Sequence, residues 1–206
     1  VLIVQAWKQS RVLGRVDLQV TASQRRGERP RVEAVAGLVE TRDKLESVLA
    51  PHLAQIGPEA DRVVAELGEG GLSASIPRGA SSSALGNLVA DAIGSEGEAE
   101  IAFHNRYGTR DDLPAGKVHY RHLYEALPFN NKLVTLTLTG AQIKDLVSAS
   151  LDGVSTPLEI SGASVEFNPQ NPPGLRLLGI RLGRVPLDPA RKYRVATHDF
   201  LANGGD

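Results

Sequence analysis

The sequence predicts an α+β fold, a mixed sheet of the α/β type with flanking helices. Three observations predict it. Apolar residues recur at helical spacing in segments that open on Ser or Thr. Short runs rich in Val, Leu, Ile and Thr lie between and after those segments, several with the alternation of half-buried strands. Clusters of Gly, Pro and Asn punctuate the two kinds of segment.

Residues 1–23 hold two strand-like runs, Val1 to Val4 and Val12 to Val20. In the second, Val16, Leu18 and Val20 alternate with Asp17 and Gln19, and Gly14 suits a bulge. Residues 24–31 are polar and broken by Gly27 and Pro30, which predicts an exposed turn. A helix is expected from Thr41, an N-cap residue with Asp43 in the first turn. Leu45, Val48, Leu49, His52, Leu53 and Ile56 fall on one face of it, and Pro51 should kink it. The run Gly68 to Gly71 breaks the chain, and the main domain is expected after it, over 72–206.

In that domain Ser81 to Ser83 can cap a helix whose apolar face is Leu85, Leu88, Val89, Ala92 and Ile93. Ile101 to Phe103 reads as a short buried strand, and Leu133 to Leu138 as an alternating one. Thr139 caps a second helix carrying Ile143, Leu146 and Val147. Residues 158–167 and 175–186 read as strands split by the turn Asn168 to Gly174, and Val195 sits in the last strand. No internal repeat or low-complexity tract is present.

Composition excludes several classes. A net charge of −1 gives no strong field to select nucleic acid or an anionic membrane. With no Cys there is no disulfide, thiolate metal site or Cys nucleophile. No apolar run reaches the length of a membrane-crossing helix, and no signal-peptide pattern is seen. The chain has no Met and stops at Gly204-Gly205-Asp206, so it is expected to be a piece of a longer protein.

Few residues read as chemistry. His119 and His122 are spaced for one helical face, but no third ligand stands near them. They and His52, His104 and His198 read as surface or satisfied core histidines. Asp111 and Asp112 lie in a Gly- and Pro-flanked turn and read as solvated. Ser81 to Ser83 lack the Gly-x-Ser-x-Gly setting of a nucleophile, and the Gly-rich stretches match no phosphate-binding loop. Two features remain. The loop from Asn105 to Arg110 follows a buried strand, where Asn and Arg can read hydroxyls and anions. Phe129 and Phe200, two of only four Phe, lie just past strands, either as core rings or as exposed platforms.

Several segments in order resemble the C-terminal domain of the 5′-nucleotidase family. They are Leu85-Gly-Asn-Leu-Val-Ala-Asp-Ala-Ile93, Leu113-Pro-Ala-Gly116, Leu127-Pro-Phe-Asn130 and Leu138-Thr-Gly-Ala-Gln-Ile143. Ile160-Ser-Gly162, Tyr193-Arg-Val-Ala-Thr197 and Asp199-Phe-Leu-Ala-Asn-Gly-Gly-Asp206 complete the set. The resemblance assigns residues 72–206 to the substrate-binding domain. It makes 1–23 the closing strands of a metallophosphatase domain, otherwise missing from this chain, and 24–71 a linker with an interdomain helix.

The resemblance implies a hydrolase that splits nucleoside 5′-monophosphates into nucleoside and phosphate. Two divalent metals in the N-terminal domain would activate water there; no cofactor and no catalytic residue is expected in the present chain. The substrate-binding residues it implies are Asn105, Arg110, Phe129, Phe200 and Asp206, with Arg78 as an out-of-register counterpart of a further Arg. Two Phe would stack the base. The family loop is Gly-rich, whereas this one reads Asn105-Arg106-Tyr107-Gly108-Thr109-Arg110, so Arg106 and Tyr107 are expected to narrow the ribose and phosphate approach or to add a cation and a hydroxyl to it. The expected partners are a nucleotide or nucleoside and the metallophosphatase domain, with no nucleic acid. The expected location is extracellular, periplasmic or at the cell wall. The alternatives are a 2′,3′-cyclic-nucleotide phosphodiesterase, a nucleotide-sugar hydrolase and a non-catalytic nucleoside-binding module.

Overall fold

The computed structural model describes residues 13–21, 31–39, 50–51, 54–77, 80–154 and 157–205. Arg78, Asp206, the run Val1 to Val4, the turn after residue 23, and the helix start at Thr41 with Leu45, Val48, Leu49, His52 and Leu53 lie outside them. Chain contacts divide the molecule after Pro58 into two units.

In the first unit, β1 (Leu13–Thr21) pairs antiparallel with β2 (Arg31–Val39), in a register running from Leu13 opposite Val39 to Thr21 opposite Arg31. β1 matches the expected strand. β2 falls in the stretch expected as linker, because its run of Val and Ala carries no clean alternation to set it apart. Residues 54–58 of this unit are helical, and Ile56 among them is exposed.

The second unit is built on a four-stranded sheet in the order β6-β11-β4-β7. These strands are β4 (Ile101–Asn105), β6 (Leu133–Thr139), β7 (Leu158–Ser161) and β11 (Lys192–His198). A three-stranded sheet joins β8 (Ser164–Phe167), β9 (Leu177–Leu182) and β10 (Val185–Pro186). A separate pair joins β3 (Val63–Leu67) to β5 (Gly116–His119). The helices are α1 (Ala84–Glu96), α2 (Tyr120–Ala126), α3 (Gly140–Leu151) and α4 (Asp199–Ala202). This is the mixed sheet with flanking helices that the sequence predicts.

The caps act as expected. Ser83 Oγ accepts from the Gly86 N–H at 3.0 Å. Thr139 and Gln142 satisfy each other's backbone N–H groups at 3.3 and 2.8 Å, a capping box. Ile143 and Val147 of α3 join Ile101, Phe103, Tyr193 and Val195 in the main core, while Leu146 stays partly exposed. Truncating Ile143 to Ala would cost roughly 2–5 kcal/mol.

The expected face of α1 needs correction. Its buried residues are Leu85, Gly86, Ala90 and Gly94, and Leu88 is exposed. Leu85 and Val89 of the expected face do join a core with Leu113, Val118 and Ala126, but the stripe nearest the sheet takes only small residues. A Cβ at Gly86 would sit 2.6 Å from the Glu159 side chain, and one at Gly94 would sit 3.3 Å from the Ala102 Cβ. Leu88, Val89, Ala92 and Ile93 instead line an apolar cavity of about 440 Å³ shared with Leu123 and Leu127.

The sheet order fixes where a site can form. β4 and β11 run parallel, and β6 and β7 run antiparallel to them. The segments after β4, before β6 and after β11 therefore meet at one end of the sheet. His198 lies opposite Leu133 in the register, and Asn105 lies opposite Leu158. Crevices beyond the carboxyl ends of parallel strands are a recurrent place for ligands in α/β sheets.

Candidate functional site

A cavity of about 150 Å³ opens at that end, lined by Asn105, Tyr107, Gly108, Arg110, Phe129, Asn131 and Phe200. Its residues come from all three converging segments. Pockets for drug-sized ligands run to roughly 300–1,000 Å³, so this one suits a single ring system with a polar attachment.

The Asn105 side chain is buried at the end of β4, and its Oδ1 accepts from His198 Nε2 at 2.8 Å. A 3₁₀ turn over Arg106–Gly108 follows. The loop is tied down by the Arg110 N–H, which donates to Ala126 O at 2.7 Å, and the Arg110 guanidinium donates to Tyr107 O at 3.3 Å. Gly108 is required by space: a Cβ there would lie 2.5 Å from Asn105 Oδ1 and 2.8 Å from His104 Cε1.

Phe129 and Phe200 are 52% and 43% exposed, while Phe103 in the core is 3% exposed. The two cavity rings are thus presented to solvent, and loop sequence explains it. Phe129 follows Pro128 in an irregular segment, and Phe200 sits in the single turn of α4. The Phe200 ring lies 6.2 Å from the His198 ring at 21°, a stacked arrangement. Gly205 passes so close that a Cβ there would lie 2.5 Å from the Phe200 ring. Asp199 ties the two aromatic segments together. Its N–H donates to Lys132 O at 2.9 Å, and its Oδ1 accepts from the Lys132 N–H at 3.0 Å.

A sequence model of the 5′-nucleotidase C-terminal domain matches residues 63–206. The chain belongs to this family. The 5′-nucleotidase precursor of Thermus thermophilus has a TM-score of 0.72 at 26% identity, covering 100% of this chain and 43% of that one. Protein UshA of Escherichia coli is 31% identical over 124 residues, which cover 59% of this chain and 22% of UshA. The trifunctional nucleotide phosphoesterase protein YfkN of Bacillus subtilis is 30% identical over 135 residues, 59% of this chain and 9% of YfkN. The chain thus spans less than a quarter of these curated relatives.

In this 5′-nucleotidase C-terminal domain the divergent loop splits its two bulky residues. Tyr107 lines the cavity and is 60% exposed. Arg106 does not line it, contrary to the expectation from sequence. Its Nε donates to Glu159 Oε1 at 3.2 Å and its Nη2 to Ser81 O at 2.7 Å. The physical reason is Glu159, a fully buried carboxylate on β7 that also accepts from the Ser83 N–H at 3.3 Å. A buried carboxylate draws the nearest cation. Sequence reasoning missed Glu159 because β7 is short, and a lone Glu in Leu-Glu-Ile-Ser reads as an outward-facing strand residue.

Sequence reasoning also left His104 and His198 without a role at the site. Both are buried, with ring centroids 5.6 Å apart, edge to face. Burial, and next the neighbouring His198, push the His104 pKa down to about 4, so it is neutral at pH 7. His104 Nε2 lies 2.9 Å from Thr109 Oγ1, a further tie on the loop. The one available signal was that each His directly precedes a site segment.

The metal pair implied by the family finds no donor set here. Among the described residues no three His, Asp or Glu side chains are grouped to hold an ion. The sequence candidates have structural work instead. His122 Nδ1 accepts from the His119 N–H at 3.1 Å, and His119 Nδ1 donates to Asp61 O at 2.6 Å. Asp112 Oδ1 accepts from the Ala74 N–H at 2.7 Å and from Ser73 Oγ at 3.1 Å.

Proposed function

We propose that this cavity is the nucleoside-recognition end of a metal-dependent 5′-nucleotidase, which converts nucleoside 5′-monophosphates to nucleoside and phosphate. The observation that carries the reading is the pair of half-exposed rings, Phe129 and Phe200, on one cavity with Asn105 and Arg110. A base stacks between the two rings, which suits any base because each has a π-face. Asn105 hydrogen-bonds the base edge or the ribose, and the always-charged Arg110 guanidinium attracts the phosphate. Asp206 is proposed to hold ribose hydroxyls, and Arg78 to add a second cation.

No catalytic residue is proposed within the chain. A pair of divalent metals, held by residues other than those described, is proposed to supply the hydrolytic chemistry. Residues 1–23 are proposed as the last strands of that metallophosphatase domain and 24–71 as the connection to it. A location outside the cytoplasm is proposed by family; among the described residues no helix is long and apolar enough to cross a membrane.

A second reading has one observation in its favour. The similarity to a protein named as a trifunctional nucleotide phosphoesterase supports nucleotide phosphoesters beyond the 5′-monophosphates, and cyclic nucleotides or nucleotide sugars are the alternative proposed. The same clamp would hold their base.

Calorimetric titration of the 206-residue chain with adenosine, AMP and 2′,3′-cyclic AMP tests the reading. Saturable binding of adenosine is expected, with release of no phosphate from AMP even with Mn²⁺ added. Absence of binding at millimolar adenosine would sink the nucleoside reading. Metal-dependent phosphate release by the purified chain would overturn the placement of the metals.

A further inference from the structure

The three segments of the cavity share one partner. His198 ends β11, and its ring touches the segment after β4 through Asn105, the segment before β6 through Asn131, and α4 through Phe200. Nε2 lies 2.8 Å from Asn105 Oδ1, and Nδ1 lies 3.4 Å from Asn131 Nδ2. An amide oxygen only accepts and an amide nitrogen only donates. Both neighbours suit the same imidazole tautomer, with the proton on Nε2 and the lone pair on Nδ1. Two independent contacts agree on one tautomer, and the ring face remains for Phe200.

We infer that His198 is the positioning residue of this site, locking the Asn105 carboxamide and backing the Phe200 ring so that both meet the base in fixed geometry. The inference rests on the nucleoside reading given above. Rotating the Asn105 amide by half a turn would set its NH₂ against the Nε2–H, donor against donor, at a side chain that is almost fully buried. The close approach of Gly108 to Asn105 Oδ1 leaves that amide little room to swing away. Placement of this kind lowers the ordering cost of binding, because the polar group and the stacking ring need not be fixed when ligand arrives.

The test uses the full chain and two substitutions. His198→Phe keeps a ring beside Phe200 and removes the hydrogen bonds to Asn105 and Asn131. His198→Gln removes the ring and keeps a donor for Asn105. His198→Phe should weaken adenosine binding about tenfold, and His198→Gln should recover part of that loss. In an Asn105→Ala background, His198→Phe should have little further effect, since it acts through the missing amide. Urea midpoints establish that each variant is folded.

Equal affinity for His198→Phe and wild type, or full additivity with Asn105→Ala, would overturn the inference. A second measurement needs no ligand and no variant. Nitrogen-15 chemical shifts of the His198 ring near neutral pH should show a protonated Nε2 and a bare Nδ1; the opposite tautomer overturns the inference on its own. A chain with the expected tautomer that fails to bind adenosine sinks the nucleoside reading while supporting the hold of His198 on Asn105. A chain that binds adenosine with the opposite tautomer sinks the positioning role alone.

Discussion

Lys132 and Asp199 clasp each other twice: the backbone N–H of Asp199 donates to Lys132 O at 2.9 Å, and the backbone N–H of Lys132 donates to Asp199 Oδ1 at 3.0 Å. The clasp joins the segment that carries Phe129 to the turn that carries Phe200, so it sets the spacing of the two rings. Asp199→Ala removes one of the two bonds. Stability should fall by about 1 kcal/mol, and adenosine affinity several-fold, as the rings drift apart. Asp199→Asn keeps an acceptor oxygen and should retain most of both. Calorimetry and urea midpoints on the pair decide; indistinguishable Ala and Asn variants would remove the clasp from the account.

The clamp rings and a core ring should respond oppositely to truncation. Phe129→Ala or Phe200→Ala should weaken adenosine binding by about one to two orders of magnitude, since stacking contributes roughly 1–3 kcal/mol per base. Both should leave the urea midpoint nearly unchanged, because each ring is about half exposed. Phe103→Ala should cost roughly 3–5 kcal/mol of folding free energy. A clamp variant that loses stability and keeps its affinity would return that ring to the core.

Arg106 and Tyr107 are neighbours with separate consequences. Tyr107→Gly should change the ranking of nucleotides that bind, because its ring lines the cavity. Arg106→Gly should leave the ranking alone and lower stability by about 3 kcal/mol, because Glu159 is fully buried and would lose its cation. A competition series with AMP, GMP and CMP, run beside urea unfolding, separates the two. A changed ranking in Arg106→Gly with intact stability would contradict the division.

His104 should make the fold sensitive to mild acid. Unfolded, it takes up a proton near its ordinary pKa of 6.5; folded, it does so only near 4, chiefly because burial disfavours the charge. Between those values the unfolded chain holds more protons, so stability falls as pH drops from about 6.5 towards 4. Above that window this residue contributes no slope. The full loss amounts to about 3 kcal/mol. His104→Leu should flatten the dependence of the urea midpoint on pH across this range. A variant with the wild-type slope would show that other groups govern it.

The sequence made the helices and the long strands legible where periodicity and caps agreed, as at Thr139 with Ile143 and Val147. At α1 it found Leu85 and Val89 but missed the buried stripe of Gly86, Ala90 and Gly94. Apolar size marks a helix face only when the neighbouring sheet leaves room for large side chains. β5 and α2 escaped notice because four residues of Gly-Lys-Val-His followed by Tyr-Arg-His carry too short and too polar a pattern. At the site, Asn105, Arg110, Phe129 and Phe200 could be picked out by segment resemblance, and the structure brings them to one cavity. The partners that hold them in place, His198, Asp199 and Glu159, were not legible. Their contacts cross 67 to 93 residues of chain, and no local spacing encodes them.

The sheet order β6-β11-β4-β7 has a consequence for biosynthesis. β11 is the last strand among the described residues, yet it lies between β6 and β4. While the chain is being made, β6 and the β4–β7 pair both present open edges facing a vacant slot. Unpaired edges of this kind recruit strands from other molecules. The nascent domain therefore passes through a sticky stage that lasts until β11 docks between β6 and β4. Mutations that slow the docking of β11 should reduce soluble yield well before they alter the finished protein.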